Sequence, residues 1–261
     1  MHMPAMDARR GIAAALAAGV LWGTMYIPYR KAYLTGMSPL SFITFFTVGE
    51  LATMLALALG ESGGMAALVR DLSAARHVLF WLLLGGFVWV IGDLFQQYAV
   101  KYAGITRGIP LSNTNQLWGL LWGILVFGEL RAAGSGAIVR VILGSIVMAG
   151  GAGLIALASV EGSEHQRWDE ARARETARYG VDPRFTSARA AGADPDASPP
   201  RRRLLDWLIA IVATVVLLAF GAMAAAPQIT FSGWAMALLV AVMVAIAGAC
   251  GTALWRRTHF N

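Results

Sequence analysis

Residues 86–129 hold two apolar runs back to back, joined by a short turn that carries Lys101 and Arg107. Each run is long enough to cross a bilayer, which takes about 20 helical residues at a rise of about 1.5 Å per residue. What constrains the fold is the polar content of these runs. The first carries Asp93, Gln96 and Gln97, and the second carries Ser112, Asn113, Asn115 and Gln116. A polar group left unpaired in lipid costs several kcal/mol. These side chains must therefore face one another, water or a cargo, and the expectation is a hairpin that lines a polar path.

Seven apolar segments can be marked along the chain, at 11–29, 39–60, 78–100, 104–127, 135–160, 204–226 and 231–255. Only 14% of residues are charged, against about 25% in soluble domains, so the class is a polytopic membrane protein. The expected fold is all-α and integral to the membrane. Residues 1–160 form a set of five helices with short connections, 161–203 a charged aqueous loop, and 204–261 a two-helix C-terminal membrane segment. The loop carries eight acidic and nine basic residues. Its first part, 163–179, reads as a surface helix with Glu170 and Arg174 one turn apart and Gly180 as a stop. Its second part, 182–200, is rich in Pro, Ala, Asp and Gly and reads as a flexible linker.

The basic residues read as topology determinants and not as a nucleic-acid surface. If all seven segments span, six of them fall on one side and fifteen on the other. That places the long loop and the C-terminus in the cytoplasm and the N-terminus outside. Cys250 is the single cysteine, which leaves no thiolate metal cluster, and the four histidines lack ligand spacing. No metal, cofactor or enzymatic constellation of nucleophile and base is expected.

Asp93 is the sharpest candidate. Trp89, Asp93, Gln96 and Gln97 share one helical stripe. Asp93 reads either as a cargo-binding or proton-carrying carboxylate or as a structural acid bonded to a neighbouring helix. Glu50, beyond Thr44 and Thr47 on one face of the second segment, reads as a second proton-coupling site or as a structural partner. On the fourth segment Ser112, Asn115 and Gln116 share a face, and Pro110 should kink or open that helix. Amides both donate and accept, which suits hydroxyl-rich cargo; the same amides also bond helices together. Trp118 and Trp122, one turn apart, offer indole faces to a sugar. Trp22 and Tyr26 in the first segment line the same cavity or serve as interfacial aromatics. Glu129 with Arg131 reads as a cap on the turn that follows. The last two segments carry little polarity and read as packing or anchoring helices.

The residues of the first five segments resemble a known family. Trp22-Gly23-Thr24 and Tyr26-Ile27-Pro28-Tyr29-Arg30-Lys31 resemble the opening of sugar porters in the drug/metabolite transporter superfamily. Trp89-x-x-Gly92-Asp93-x-x-Gln96-Gln97, Tyr102-x-Gly104-Ile105-x-x-x-Ile109-Pro110-x-Ser112-x-x-x-Gln116 and Phe127-Gly128-Glu129 resemble its glucose/ribose porter family. The resemblance covers about 11–160, one five-helix repeat. It implies ten helices in two inverted repeats and sugar uptake driven by a proton gradient, with Trp89, Asp93, Gln96, Gln97, Ser112 and Gln116 as the positions to carry over. Asp93 stands where a neutral amide is expected in relatives. Only two segments follow the charged loop, and neither repeats the motifs. Alternating access needs one half to move against another, so the expected working form is a homodimer, embedded in the bacterial inner membrane and carrying a sugar-like metabolite. The alternatives are a drug or metabolite exporter, and a non-transporting scaffold or sensor derived from a transporter.

Overall fold

The computed structural model describes residues 5–130, 134–158, 162–190, 203–225 and 232–258. In chain order the helices are α1 (Ala5–Leu34), α2 (Pro39–Ser62), α3 (Met65–Ala74), α4 (Leu79–Ala103), α5 (Ile105–Ser112) and α6 (Asn115–Leu121). A π-helical turn follows at Trp122–Val126, and then α7 (Ser135–Leu157), α8 (Gly162–Tyr179), α9 (Pro183–Ala190), α10 (Leu204–Met223) and α11 (Gly233–Thr258). Six of the described helices have stretches long and apolar enough to cross a membrane: Arg10–Leu34, Pro39–Ser62, Leu79–Ala103, Ile138–Ile155, Leu204–Met223 and Gly233–Arg256. Large apolar side chains stay uncovered on these helices, with Phe45, Leu157 and Leu204 at 75%, 84% and 87% exposed. That is the expected state where the surrounding solvent is lipid. The protein is an all-α, multi-pass membrane protein.

The segment at 104–127, where Pro110 was expected to kink or open the helix, is interrupted. It is divided into α5, α6 and the π-helical turn. The first break lies at Asn113–Thr114, past Pro110. There the Ser112 hydroxyl donates to the Ile109 carbonyl at 2.9 Å and the Thr114 hydroxyl to the Leu111 carbonyl at 2.7 Å. Such hydroxyls compete with the helical ladder, and Thr114 N–H bonds Leu111 three residues back instead of four. The second irregularity is the π turn, where Phe127 N–H reaches the Trp122 carbonyl at 3.0 Å.

The chain divides into two compact units. One comprises Pro39–Ser159 and Asp194–Asn261. Within it α4 and α5 form a tight hairpin. Gly104, at φ 76°, makes the turn. Gly108 then lets the two backbones touch, since a Cβ there would lie 2.8 Å from the carbonyl carbon and oxygen of Ala99. α2 and α10 pack on α4, and α7 packs on α5. α10 opens on Asp206, which accepts the Arg203 N–H at 2.7 Å, and closes where Trp81 Nε1 donates to the Ala225 carbonyl at 3.0 Å. Gly221 leaves room for the Phe80 ring. α11 begins against the π turn, with Ser232 N–H bonded to the Val126 carbonyl. Val126, Ala235 and Leu239 form a small core there, with Trp118 and Trp122 packed on it. Those two indoles therefore pack on the start of α11 and are only partly buried there.

The other unit comprises Met1–Ser38 and Val160–Ala193. Here the charged loop folds onto the polar end of α1. Lys31 Nζ lies 3.6 Å from Glu175 Oε2, and the Arg30 guanidinium sits 5.6 Å from the centre of the Trp168 ring. Gly36, at φ 82°, abuts Phe185 and Thr186. α8 ends in a Schellman turn: Val181 N–H bonds the Thr176 carbonyl at 3.0 Å, with Gly180 at φ 64°. α9 lies inside the stretch read from sequence as linker; residues 191–200 fall outside the described ones. The helix forms because Asp182 accepts the Arg184 N–H at 2.8 Å as an N-cap and Pro183 occupies the first turn, where its missing donor does no harm.

Candidate functional site

α4 supplies the centre of the site. Its 3.6-residue repeat puts Trp89, Asp93 and Gln97 in one line, with Gln96 beside it. Asp93 is 8% exposed and Gln97 is fully buried. Gln97 Nε2 donates to Asp93 Oδ1 at 2.9 Å. Asp93 Oδ2 is also buried and has no hydrogen-bond partner among the described residues. Gln96 is half-buried, and Trp89, at 46% exposed, stands nearer the surface. Buried carboxylate oxygens are rarely left unbonded. Oδ2 is therefore, among the described residues of this unit, a buried acceptor left open to a proton, a water or a polar ligand.

Glu50 is half-buried on α2, which packs against α4, and it lies within electrostatic reach of Asp93.

The polar positions of the second arm are less buried than Asp93 and Gln97. Ser112 is half-buried, and its hydroxyl is committed to Ile109, although its lone pairs still accept. Asn115 and Gln116 are exposed at the start of α6. Trp22 and Tyr26 belong to α1, in the other unit. Trp22 is 67% exposed, and Tyr26 meets Tyr29 edge to face with ring centres 5.6 Å apart. Asp93 and Gln97 are accordingly the two expected residues that the structure joins by a hydrogen bond. Among the described residues no three His, Cys, Asp or Glu side chains are grouped to hold a metal ion.

One feature escaped the sequence reading, the backbone contact at Gly108 that brings α5 against α4. For Glu129, read as a cap, the structure adds what its backbone and carboxylate meet. Gly128, at φ 65°, turns the chain so that Glu129 N–H bonds the Gly123 carbonyl at 2.9 Å. The Glu129 carboxylate then lies over Gly123, where a Cβ would come within 2.9 Å of Oε2. Arg131, expected to partner it, lies outside the described residues. The Phe-Gly-Glu motif and the Gly119/Gly123 spacing were the available signals.

A set of membrane-spanning helices with a buried carboxylate and amide on the α4–α5 hairpin defines a polytopic membrane protein. Residues 13–180 match the family described as sugar transport protein, and the chain belongs to that family. It is 42% identical over 72 residues to a protein of Streptococcus pyogenes serotype M6 named for sugar uptake, covering 24% of this chain and 25% of the relative. It is 48% identical over 52 residues to a second protein so named, from serotype M1, covering 19% and 18%. The chain thus spans a quarter or less of the length of these relatives. No solved structure matches it.

Proposed function

We propose that this protein carries a sugar or a similar small polar metabolite across the bacterial inner membrane, with the long loop and C-terminus cytoplasmic, coupled to protons and working as a homodimer. The observation that supports this most is the open Oδ2 of Asp93, held beside Gln97 in a chain of the sugar transport family. Gln97 fixes one carboxylate oxygen and leaves the other to accept a cargo hydroxyl or a proton. Protonation of Asp93 changes Oδ2 from acceptor to donor. Cargo binding and proton binding are thereby linked at one group. Trp89, Gln96, Ser112, Asn115, Gln116, Trp22 and Tyr26 are assigned to cargo contact, and Glu50 shares the coupling role. The five helical segments of 1–160 act as one repeat, and a second copy supplies the opposing half that alternating access needs. Purified protein in proteoliposomes tests this: an imposed proton gradient drives radiolabelled sugar uptake, and none is seen in either direction if the reading is wrong.

A second reading, a non-transporting scaffold or sensor, is favoured by a specific observation. Gln97 bonds to Asp93 on its own helix, and Ser112 bonds to its own backbone. An inert membrane protein satisfies its polar groups in this way. Normal folding with no flux under any gradient would select it.

A further inference from the structure

We propose that α3 is an interfacial anchor, with Met65, Val69 and Leu72 seated among the lipid chains at the membrane surface and Arg70 and Asp71 turned to water.

α3 has ten residues, about 15 Å of helix, which is too short to cross a bilayer. It is tied at both ends to helices that are long enough to cross. Two glycines separate it from α2, and residues 75–78 separate it from α4. At up to about 3.6 Å per residue, Met65 stays within roughly 11 Å of the end of α2. α2 ends in a Schellman turn: Gly63 is at φ 77°, and Gly64 N–H bonds the Leu59 carbonyl at 3.0 Å. Gly64, at φ 111°, turns the chain a second time. Glycine takes these backbone conformations without strain, so α3 is not a continuation of α2, although it packs on it. On the other side, Trp81 stands in the first turn of α4 with its Nε1 bonded to the Ala225 carbonyl. An indole so placed suits the boundary between lipid and water.

The two faces of α3 differ. Met65, Val69 and Leu72 recur at i, i+4 and i+7 and so form one stripe, and they are 55%, 53% and 45% exposed. Arg70 and Asp71 lie on the opposite side, 3.8 Å apart, with most of each side chain accessible. An apolar stripe left in water is unfavourable. For a short amphipathic helix held at a membrane, the cover at hand is the acyl chains just below the headgroups. Val78 and Leu82, at the start of α4, are exposed as well, so the uncovered apolar surface runs on from α3 into the lipid-facing span. A second copy is a poorer cover: a stable dimer buries about 800 Å² on each partner, far more than three side chains offer. The anchor follows from the membrane spans alone and does not depend on transport. It joins the helices that carry Glu50 and Asp93, and so fixes how deep their shared end sits in the bilayer.

Spin labels on the full chain in lipid nanodiscs test the placement, because nanodiscs leave both membrane faces open to reagents. Met65→Cys, Val69→Cys, Leu72→Cys, Arg70→Cys and Asp71→Cys are made one at a time in a Cys250→Ser background and labelled. Oxygen, which dissolves in lipid, should relax the labels at 65, 69 and 72, and a water-soluble nickel chelate should lose contact with them. At 70 and 71 the order should reverse. Val69→Lys together with Leu72→Lys should lift the helix, so that the label at Met65→Cys regains nickel contact. Nickel contact at 65, 69 and 72 as high as at 70 and 71 would put the helix in water. Low contact with both agents at 65, 69 and 72 would put a second copy or another protein over the stripe. Either result overturns the proposal.

Discussion

Gln97 and Asp93 sit one helical turn apart on α4, joined by a 2.9 Å hydrogen bond from Nε2 to Oδ1. The amide is fully buried and the acid nearly so. The bond locks the carboxylate in one orientation and points its second oxygen away from its own helix partner. A free rotamer would leave either oxygen in either role.

Asp93→Asn keeps the size of the side chain and removes its ability to carry a proton. Gradient-driven uptake in proteoliposomes should fall to the level of empty vesicles, while the helical circular dichroism is retained. Wild-type uptake by this variant would remove Asp93 from the coupling step.

Gln97→Leu tests the positioning role. It leaves Asp93 Oδ1 buried without its donor, which costs about 1–3 kcal/mol. We expect a lower thermal midpoint in detergent together with a shifted pH profile of uptake. A purely structural role for Gln97 would lower the midpoint and leave the profile in place.

Two glycines should respond differently to alanine. At Gly108 the new Cβ meets the Ala99 backbone at 2.8 Å, and backbone cannot step aside. Overpacking of this kind typically costs 1–3 kcal/mol, roughly, and here it also prises α5 from α4. At Gly123 the new Cβ meets the end of the Glu129 side chain at 2.9 Å, which can rotate away. Thermal unfolding in detergent should therefore show Gly108→Ala clearly destabilised and Gly123→Ala nearly unchanged.

The ion pair between Lys31 and Glu175 is 3.6 Å long and partly exposed, with the side chains 42% and 22% accessible. Solvent screening limits such pairs to about 0–1 kcal/mol. Glu175→Lys should speed limited proteolysis at the turn around Gly180 modestly at low salt. The difference should vanish in high salt, and the swap Lys31→Glu with Glu175→Lys should restore protection.

Native mass measurement in mild detergent addresses the assembly. Two copies per particle are expected if the protein works as a homodimer. Monomers that still transport would refute the homodimer.

The membrane spans were legible because a 20-residue apolar run admits few alternatives. An opening of the fourth segment was legible at Pro110, but its position at Asn113–Thr114 was not. It depends on hydroxyls choosing the near carbonyl over a distant partner, and the letters Ser112 and Thr114 do not reveal that choice. Asp93 and Gln97 were legible as neighbours from their spacing. That the amide would bond the acid on its own helix, and not cross to another, is a matter of burial. Gly108 looked like any glycine in a membrane helix, since the residue opposite it is set by the hairpin turn four residues earlier. α9 was hidden by its surroundings: Asp182-Pro183 is a helix start, but the Ala, Asp and Pro that follow outweighed it in a reading by composition. Glu129 was seen as a cap, while the acceptor beneath its backbone, Gly123, required the π turn.

The grip of α8 and α9 on the end of α1 has a practical corollary. Arg30, Lys31 and Gly36 tie that terminus to a water-facing hairpin, so any tilt of the first helix is carried into the aqueous phase. A dye on Ser187 would swing like the tip of a pointer, and a turn of the helix inside the lipid could be read optically from outside it.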